Sequence, residues 1–302
     1  MPEILHSSGT LAGSQNRVMQ VTRFIFASAE LTKMKLTAMA TLPALFAWFA
    51  ATPQFHATGF IGVLLGVFAS ASGAAALNQW TEWRTDARMA RTSRRPLPSG
   101  RLQPEAVLVT GLILLVSGIL LLALTANLLS AALVLFAGMV YWLIYTPLKK
   151  RTRWCTEIGA ISGAVPPLIG WAAATGTLSL LAWILFAILF LWQMPHFHPI
   201  AWRYREDYRN AGLKMRAVVE STGNEAANHG IAYTVGLVAL GFISFAAGEI
   251  GFVALVVFFL LSVAYFFFAA RFRFAADRDR AARNLFKFSL IYLPVILIVT
   301  TL

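Results

Sequence analysis

Phe60-Ile-Gly-Val-Leu-Leu-Gly-Val-Phe-Ala-Ser-Ala-Ser-Gly-Ala-Ala-Ala-Leu77 is an uncharged apolar run, and Asn78-Gln-Trp-Thr-Glu82-Trp-Arg-Thr-Asp86 follows it directly. An apolar run of roughly 20 residues crosses a bilayer as a helix. Positions i, i+4 and i+8 of a helix stay within about 40° of one face. Asn78, Glu82 and Asp86 therefore align one amide and two carboxylates where the membrane helix ends. Hard oxygen donors of this kind suit Mg²⁺, which takes few carboxylates and completes its shell with substrate phosphates. Arg88, Arg91, Arg94 and Arg95 come next, and the guanidinium fork matches phosphate oxygens. Arginines beside a membrane also act as topology signals and headgroup contacts. Acidic residues in line with a membrane helix are functional by default. The combination points to a site for a lipid diphosphate.

Apolar runs of this length recur along the chain. Its 302 residues are 58% hydrophobic and 13% charged, with a mean hydropathy of +0.69. Nine segments are long enough to span: 33–51, 59–80, 105–125, 128–147, 156–175, 178–200, 230–247, 250–270 and 284–302. The expected fold is an all-α polytopic membrane protein. Residues 1–30 form an N-terminal cytoplasmic or interfacial segment, and residues 31–302 a single nine-helix domain. The net charge of +12 invites a nucleic-acid partner, but its distribution excludes one. All 25 Lys and Arg fall in five places: the N-terminal region and segments 84–101, 149–153, 203–216 and 271–287. Between nine helices these are the N-terminus and every second connection, all on one side. Connections such as Ala51-Thr-Pro-Gln-Phe-His-Ala57 and Ala246-Ala-Gly-Glu-Ile250 carry none. The positive-inside rule makes the charged side cytoplasmic, with the N-terminus in and the C-terminus out. The expected location is the cell (inner or plasma) membrane, with inner loops 81–103 and 201–229 forming the active site. The single Cys155 excludes an intrachain disulfide. The polar first ~30 residues lack a signal-peptide pattern, and residues 17–30 fit a short interfacial helix.

A second helix end carries acids and arginines: Trp192-Gln-Met-Pro195-His196-Phe-His198-Pro199-Ile-Ala-Trp202-Arg-Tyr-Arg205-Glu206-Asp207-Tyr208. If both ends converge, carboxylates face each other across a cavity. Pro195 and Pro199 are expected to break the sixth helix near the inner surface. A third inner segment, Tyr141-Trp-Leu-Ile-Tyr145-Thr-Pro-Leu-Lys149, adds cations from the fourth helix. In the fifth helix Gly159, Gly163 and Gly170 read first as close-packing positions. Pro166 and Pro167 interrupt the backbone ladder there, either to shape the cavity or simply to pack.

The pattern Asn-x₃-Glu-x₃-Asp-x₂-Met-x-Arg-Thr-x₂-Arg-Pro-Leu, from Asn78 to Leu97, resembles the UbiA superfamily of intramembrane prenyltransferases. The Gly163-to-Pro167 run, Trp192-Gln-x-Pro-His-Phe197 and Asp207-Tyr-x₂-Ala-Gly212 extend the resemblance to the branch that farnesylates haem. It covers about residues 30–300. What it implies is a UbiA-type bundle that transfers farnesyl from farnesyl diphosphate to a vinyl group of haem b, with water addition, giving haem O and pyrophosphate. Asn78, Glu82, Asp86 and Asp207 would be the catalytic residues that hold Mg²⁺. Arg88, Arg91, Arg95, Lys149 and Arg205 would bind the diphosphate. Haem b would be a substrate, not a permanent cofactor, with His196 as its contact. His198, two residues on, points to another face of a regular helix, so the two do not share a metal. The implied partners are farnesyl diphosphate, haem b, the lipid bilayer, and haem A synthase or terminal-oxidase assembly factors, with no nucleic acid. The chain departs from the pattern in its single Asp207, where the quinone-pathway branches carry paired aspartates. Cys155 stands where Asn is expected, and Glu157 adds an acid. The alternatives are a prenyltransferase for a quinone precursor, or a transporter of an anionic lipid whose arginines bind cargo.

Overall fold

A computed structural model describes residues 27–52 and 54–301, and the interfacial helix expected over 17–30 lies mostly outside the described residues. Among these residues nine helices are long and apolar enough to cross a membrane: α1 Met34–Ala51, α2 Ala57–Asp86, α3 Pro104–Thr125, α4 Leu128–Leu148, α5 Cys155–Thr175, α6 Leu180–Arg203, α7 Asn224–Ala246, α8 Phe252–Phe274 and α9 Arg278–Thr301. Hydrocarbon offers no hydrogen bonds, so a spanning segment must satisfy its own backbone, which a helix does. Local signals set the ends. Pro104 opens α3. The side chains of Asn127 and Ser179 cap α4 and α6 by accepting the Ser130 and Ala182 N–H groups. Gly176, at φ 74°, closes α5.

Three spans depart from simple expectation. α2 continues through its polar end to Asp86, so the inner loop begins at residue 87, not 81. The polar side chains find partners on neighbouring segments, and the helix stays wound. α6 runs unbroken through Pro195 and Pro199, where a break was expected. Pro195 deprives the Leu191 carbonyl of its N–H, and neighbours reinforce the backbone beside it. The Tyr265 hydroxyl donates to the Trp192 carbonyl at 3.2 Å, and Gln193 Nε2 to the Ala160 and Leu189 carbonyls at 3.1 and 3.2 Å. Pro166 and Pro167 divide α5 into Cys155–Ala164 and Pro166–Thr175. Within α4, Val140–Tyr145 winds as a π-helix. Pro147, just beyond it, has no N–H to continue the regular ladder.

The helices pack as two halves. Ala44, Trp48, Val63, Leu122, Val134 and Ile169 form a core among α1 to α5. Leu185, Ile188, Leu237, Phe258, Tyr265 and Tyr292 form another among α6 to α9. Large apolar side chains such as Leu124, Leu128 and Val253 face outward, the pattern of a surface solvated by lipid.

Candidate active site

The end of α2, the loop after it and the end of α4 meet around two carboxylates. Asn78 Nδ2 donates to Glu82 Oε2 at 2.9 Å and to Thr146 Oγ1 at 3.0 Å. Lys149 Nζ lies 2.9 Å from the same Glu82 oxygen. One turn further along α2, Arg95 Nη1 lies 2.6 Å from Asp86 Oδ2. The Thr92 hydroxyl donates to the Asp86 carbonyl at 2.9 Å and folds the loop back. Asn78 and Asp86 are 1% exposed and Glu82 8%. Unpaired carboxylates this deep are costly, and each has one cation. The second oxygens, Glu82 Oε1 and Asp86 Oδ1, have no hydrogen-bond or ion-pair partner among the described residues. Two such carboxylate oxygens on one helix face suit a divalent ion whose remaining ligands come from substrate phosphate.

Two further features shape this cluster. The Lys149 ammonium lies 4.5 Å from the centre of the Tyr145 ring. That ring packs on Gly159, where an added Cβ would stand 2.7 Å from it. Burial disfavours charge on Lys149, but Glu82 and the neighbouring tyrosines outweigh it and hold its pKa above the ordinary lysine value. Lys33, just before α1, is a site residue that sequence reasoning missed. Burial, then the Arg95 and Lys149 charges, push it down to about 7. Gln79 Nε2 donates to the Leu31 carbonyl at 2.5 Å and holds this segment against α2. Lys33 itself adopts a left-handed φ of 49°, a conformation costly for a residue with Cβ. In the sequence it is indistinguishable from a topology charge.

The loops after α2 and α6 touch. The Arg91 guanidinium lies 5.0 and 5.8 Å from the rings of Tyr204 and Tyr208, and Met89 packs with Ala211 and Leu213. Asp207 lies on the short helix Arg205–Asn210 and pairs with no cation among the described residues. Arg88 is exposed. Arg205 bonds the Trp202 carbonyl at 2.8 Å and approaches Asp279 to 3.8 Å, away from α2. Asp207 does not join Glu82 and Asp86 into a group, and the described residues hold no cluster of three Asp, Glu, His or Cys able to bind a metal. The second loop is nevertheless tied to the first group, because the Lys214 N–H donates to the Lys149 carbonyl at 2.7 Å.

His196 and His198 diverge. His196 Nδ1 lies 2.7 Å from Ser289 Oγ, and that hydroxyl donates to the Phe286 carbonyl at 2.6 Å. Ser289 thus occupies His196 Nδ1, and Nε2 has no hydrogen-bond partner among the described residues. The ring is stacked on Trp192, with centroids 4.4 Å apart. His198 Nε2 instead meets His229 Nδ1 at 3.2 Å. His229 approaches Glu157 to 3.4 Å, and Glu157 pairs with the buried Arg216 at 2.8 Å. This second network, at the start of α5, the end of α6 and the start of α7, was not visible in the sequence, where His229 carried no signal.

Residues 37–291 match the UbiA prenyltransferase family. A protoheme IX farnesyltransferase of Opitutus terrae is 38% identical over 89% of this chain and 91% of its own length. One from Rhodopirellula baltica is 35% identical over 90% and 98%, and one from Solibacter usitatus 42% over 71% and 77%. Among solved structures, a digeranylgeranylglyceryl phosphate synthase superposes with a TM-score of 0.76 at 17% identity, covering 92% of this chain and 97% of that one. A UbiA homologue from Archaeoglobus fulgidus bound to GPP and Mg²⁺ does so with a TM-score of 0.69 at 15% identity, covering 91% and 100%. These structures share the fold.

Proposed function

Because this chain belongs to the UbiA prenyltransferase family, we propose that it transfers farnesyl from farnesyl diphosphate to a vinyl group of haem b, with addition of water, giving haem O and pyrophosphate. The observation that carries the reading is the α2 cluster, with buried Glu82 beside Lys149 and buried Asp86 beside Arg95. The names of the relatives supply the acceptor. Asn78, Glu82 and Asp86 would hold Mg²⁺, and Asp207, on the short helix after α6, lies outside this group. When bound, Mg²⁺ offsets negative charge on the departing pyrophosphate.

The chain's own groups do the rest. Lys149 and Arg95 turn part of their charge from carboxylate to phosphate, and Arg88 and Arg91 on the adjoining loop neutralise what remains, while Arg205 is held at Trp202 and Asp279 instead. The allylic C–O bond breaks with its electron pair on pyrophosphate. The apolar bundle keeps water from the farnesyl cation. The terminal vinyl carbon of haem b then bonds to farnesyl C1. Water bonds to the macrocycle-side carbon left positive, and loses one proton to give the hydroxyl. His196, oriented by Ser289 at Nδ1, contacts the haem. One domain, residues 31–302, carries the whole reaction, and its charged side faces the cytoplasm of the cell's inner membrane. Haem A synthase or a terminal-oxidase assembly factor would be the protein partner.

The test is the product formed by purified protein given haem b, farnesyl diphosphate and Mg²⁺. A macrocycle heavier by one farnesyl and one hydroxyl group, with one pyrophosphate released, is expected. Pyrophosphate released only with an aromatic quinone precursor would replace haem with that acceptor.

A further inference from the structure

His196 has an unpaired counterpart on its own helix. α6 is continuous from Leu180 to Arg203. Seven residues advance a helix by roughly 10 Å and return it to within about 20° of the starting direction. Arg203 therefore leaves α6 on the face that carries His196, two turns nearer the charged side. It is exposed, and it has no carboxylate at ion-pair distance among the described residues. Its neighbours are engaged: Arg205 approaches Glu206 and Asp279, and Arg209 pairs with Glu206 at 2.6 Å. Asp279, the acid that reaches this end of α6, accepts the Trp202 indole N–H at 2.8 Å instead. The Arg203 guanidinium lies 5.7 Å from the Tyr204 ring, which also holds Arg91 at 5.0 Å.

Haem b carries iron at its centre, two vinyl groups toward one edge and two propionate carboxylates at the opposite edge. The reach from iron to a propionate carboxylate is comparable to two turns of helix. The Ser289 contact at Nδ1 and the Trp192 stack fix the His196 ring and leave Nε2 without a partner among the described residues, as an oriented histidine ligand requires. A guanidinium binds a carboxylate through paired donors. Resting on haem as the acceptor, we propose that Arg203 binds a haem propionate while His196 Nε2 meets the iron. The two contacts fix rotation of the macrocycle in its plane. The propionate edge lies at the charged mouth, and the vinyl edge points into the bundle toward the level of Trp192. Arg203 is thus a specificity-determining residue, selecting a macrocycle with a free carboxylate and presenting its vinyl edge to the farnesyl donor.

The experiment compares haem b with its dimethyl ester, by Soret titration of full-length protein in detergent, for wild type, Arg203→Gln and Arg203→Lys. Wild type should prefer haem b by roughly ten-fold, the scale of one charge-assisted contact. Arg203→Gln should erase the preference by weakening haem b alone, and Arg203→Lys should retain part of it. Unchanged ester binding shows that the variant is folded, and the KM for farnesyl diphosphate should stay at its wild-type value. The proposal is overturned if Arg203→Gln weakens both macrocycles equally, raises the KM for farnesyl diphosphate instead, or changes nothing. Wild type that binds no haem yet releases pyrophosphate with another acceptor would show that the haem reading itself has failed.

Discussion

Asp86 is 1% exposed and held 2.6 Å from Arg95, so a substitution there acts on both chemistry and stability. The i, i+4, i+8 spacing identified the carboxylate, but placed it at an open helix mouth; its burial depends on a loop folded back through Thr92. Asp86→Asn should lower turnover by roughly 10²-fold through lost stabilisation of the leaving group. It should also lower the melting temperature, since removing one partner of a buried ion pair costs about 3–5 kcal/mol. Asp86→Asn combined with Arg95→Met should recover much of the melting temperature and none of the turnover. Near-normal pyrophosphate release from Asp86→Asn would remove the residue from the reaction. Lys33 gives a pH dependence. Its folded pKa, about 7, lies below the ordinary lysine value, so the unfolded chain binds more protons between those values. Stability should therefore rise as pH increases from about 7 toward the lysine range. Lys33→Met should flatten that rise in melting curves, and an equally steep rise in the variant would assign it to another group.

Single elements show where pattern reading stopped. Apolar length gave α4, but not the π-helix at Val140–Tyr145, because periodicity over a few residues does not resolve a widened turn. That turn places Tyr145 beneath Lys149 and against Gly159. Read from sequence, Gly159 is a packing glycine; in the fold it is also the floor under Tyr145 and, through that ring, Lys149. Gly159→Ala should push the Tyr145 ring, displace Lys149 and raise the KM for farnesyl diphosphate more than it lowers the melting temperature. A loss of stability with an unchanged KM would make the contact purely structural. The Glu157–Arg216 pair is a different kind of miss. Its partners lie 59 residues apart, and no local pattern links them. It joins the start of α5 to the segment whose Lys214 bonds Lys149. Arg216→Leu alone should destabilise strongly, while Glu157→Leu with Arg216→Leu should recover stability, since a buried pair replaced by apolar groups is often neutral. A double variant no more stable than Arg216→Leu would mean that the surrounding charges, Glu225 and Arg153, cannot settle without the pair.

At the scale of the molecule, bilayer thickness made the fold legible. It fixes helix length, so nine apolar runs become nine spans even though their ends shift where polar residues stay helical, as at Glu82 and Asp86 in α2. Tertiary contacts between the inner loops were beyond that reasoning: Arg91 against Tyr204 and Tyr208 joins residues that no spacing rule connects. The distribution of charge supplies what helix length cannot, namely direction. Every Lys and Arg lies at the N-terminus, in alternate connections or in the helix turns that flank them, and the positive-inside rule predicts that such segments stay in the cytoplasm. The candidate site sits at the same end, since Lys149 and Arg95 are both topology charges and cluster members. A reporter fused at Gln103 or Gly223 should therefore read cytoplasmic, and one at Gly176 or Gly248 should read external. The four positions test alternate connections along the chain, so a miscounted span would put two neighbouring readings on one side. If all four readings alternate but are reversed, the nine helices stand and the pyrophosphate is released on the outer face, which would sink a cytoplasmic active site.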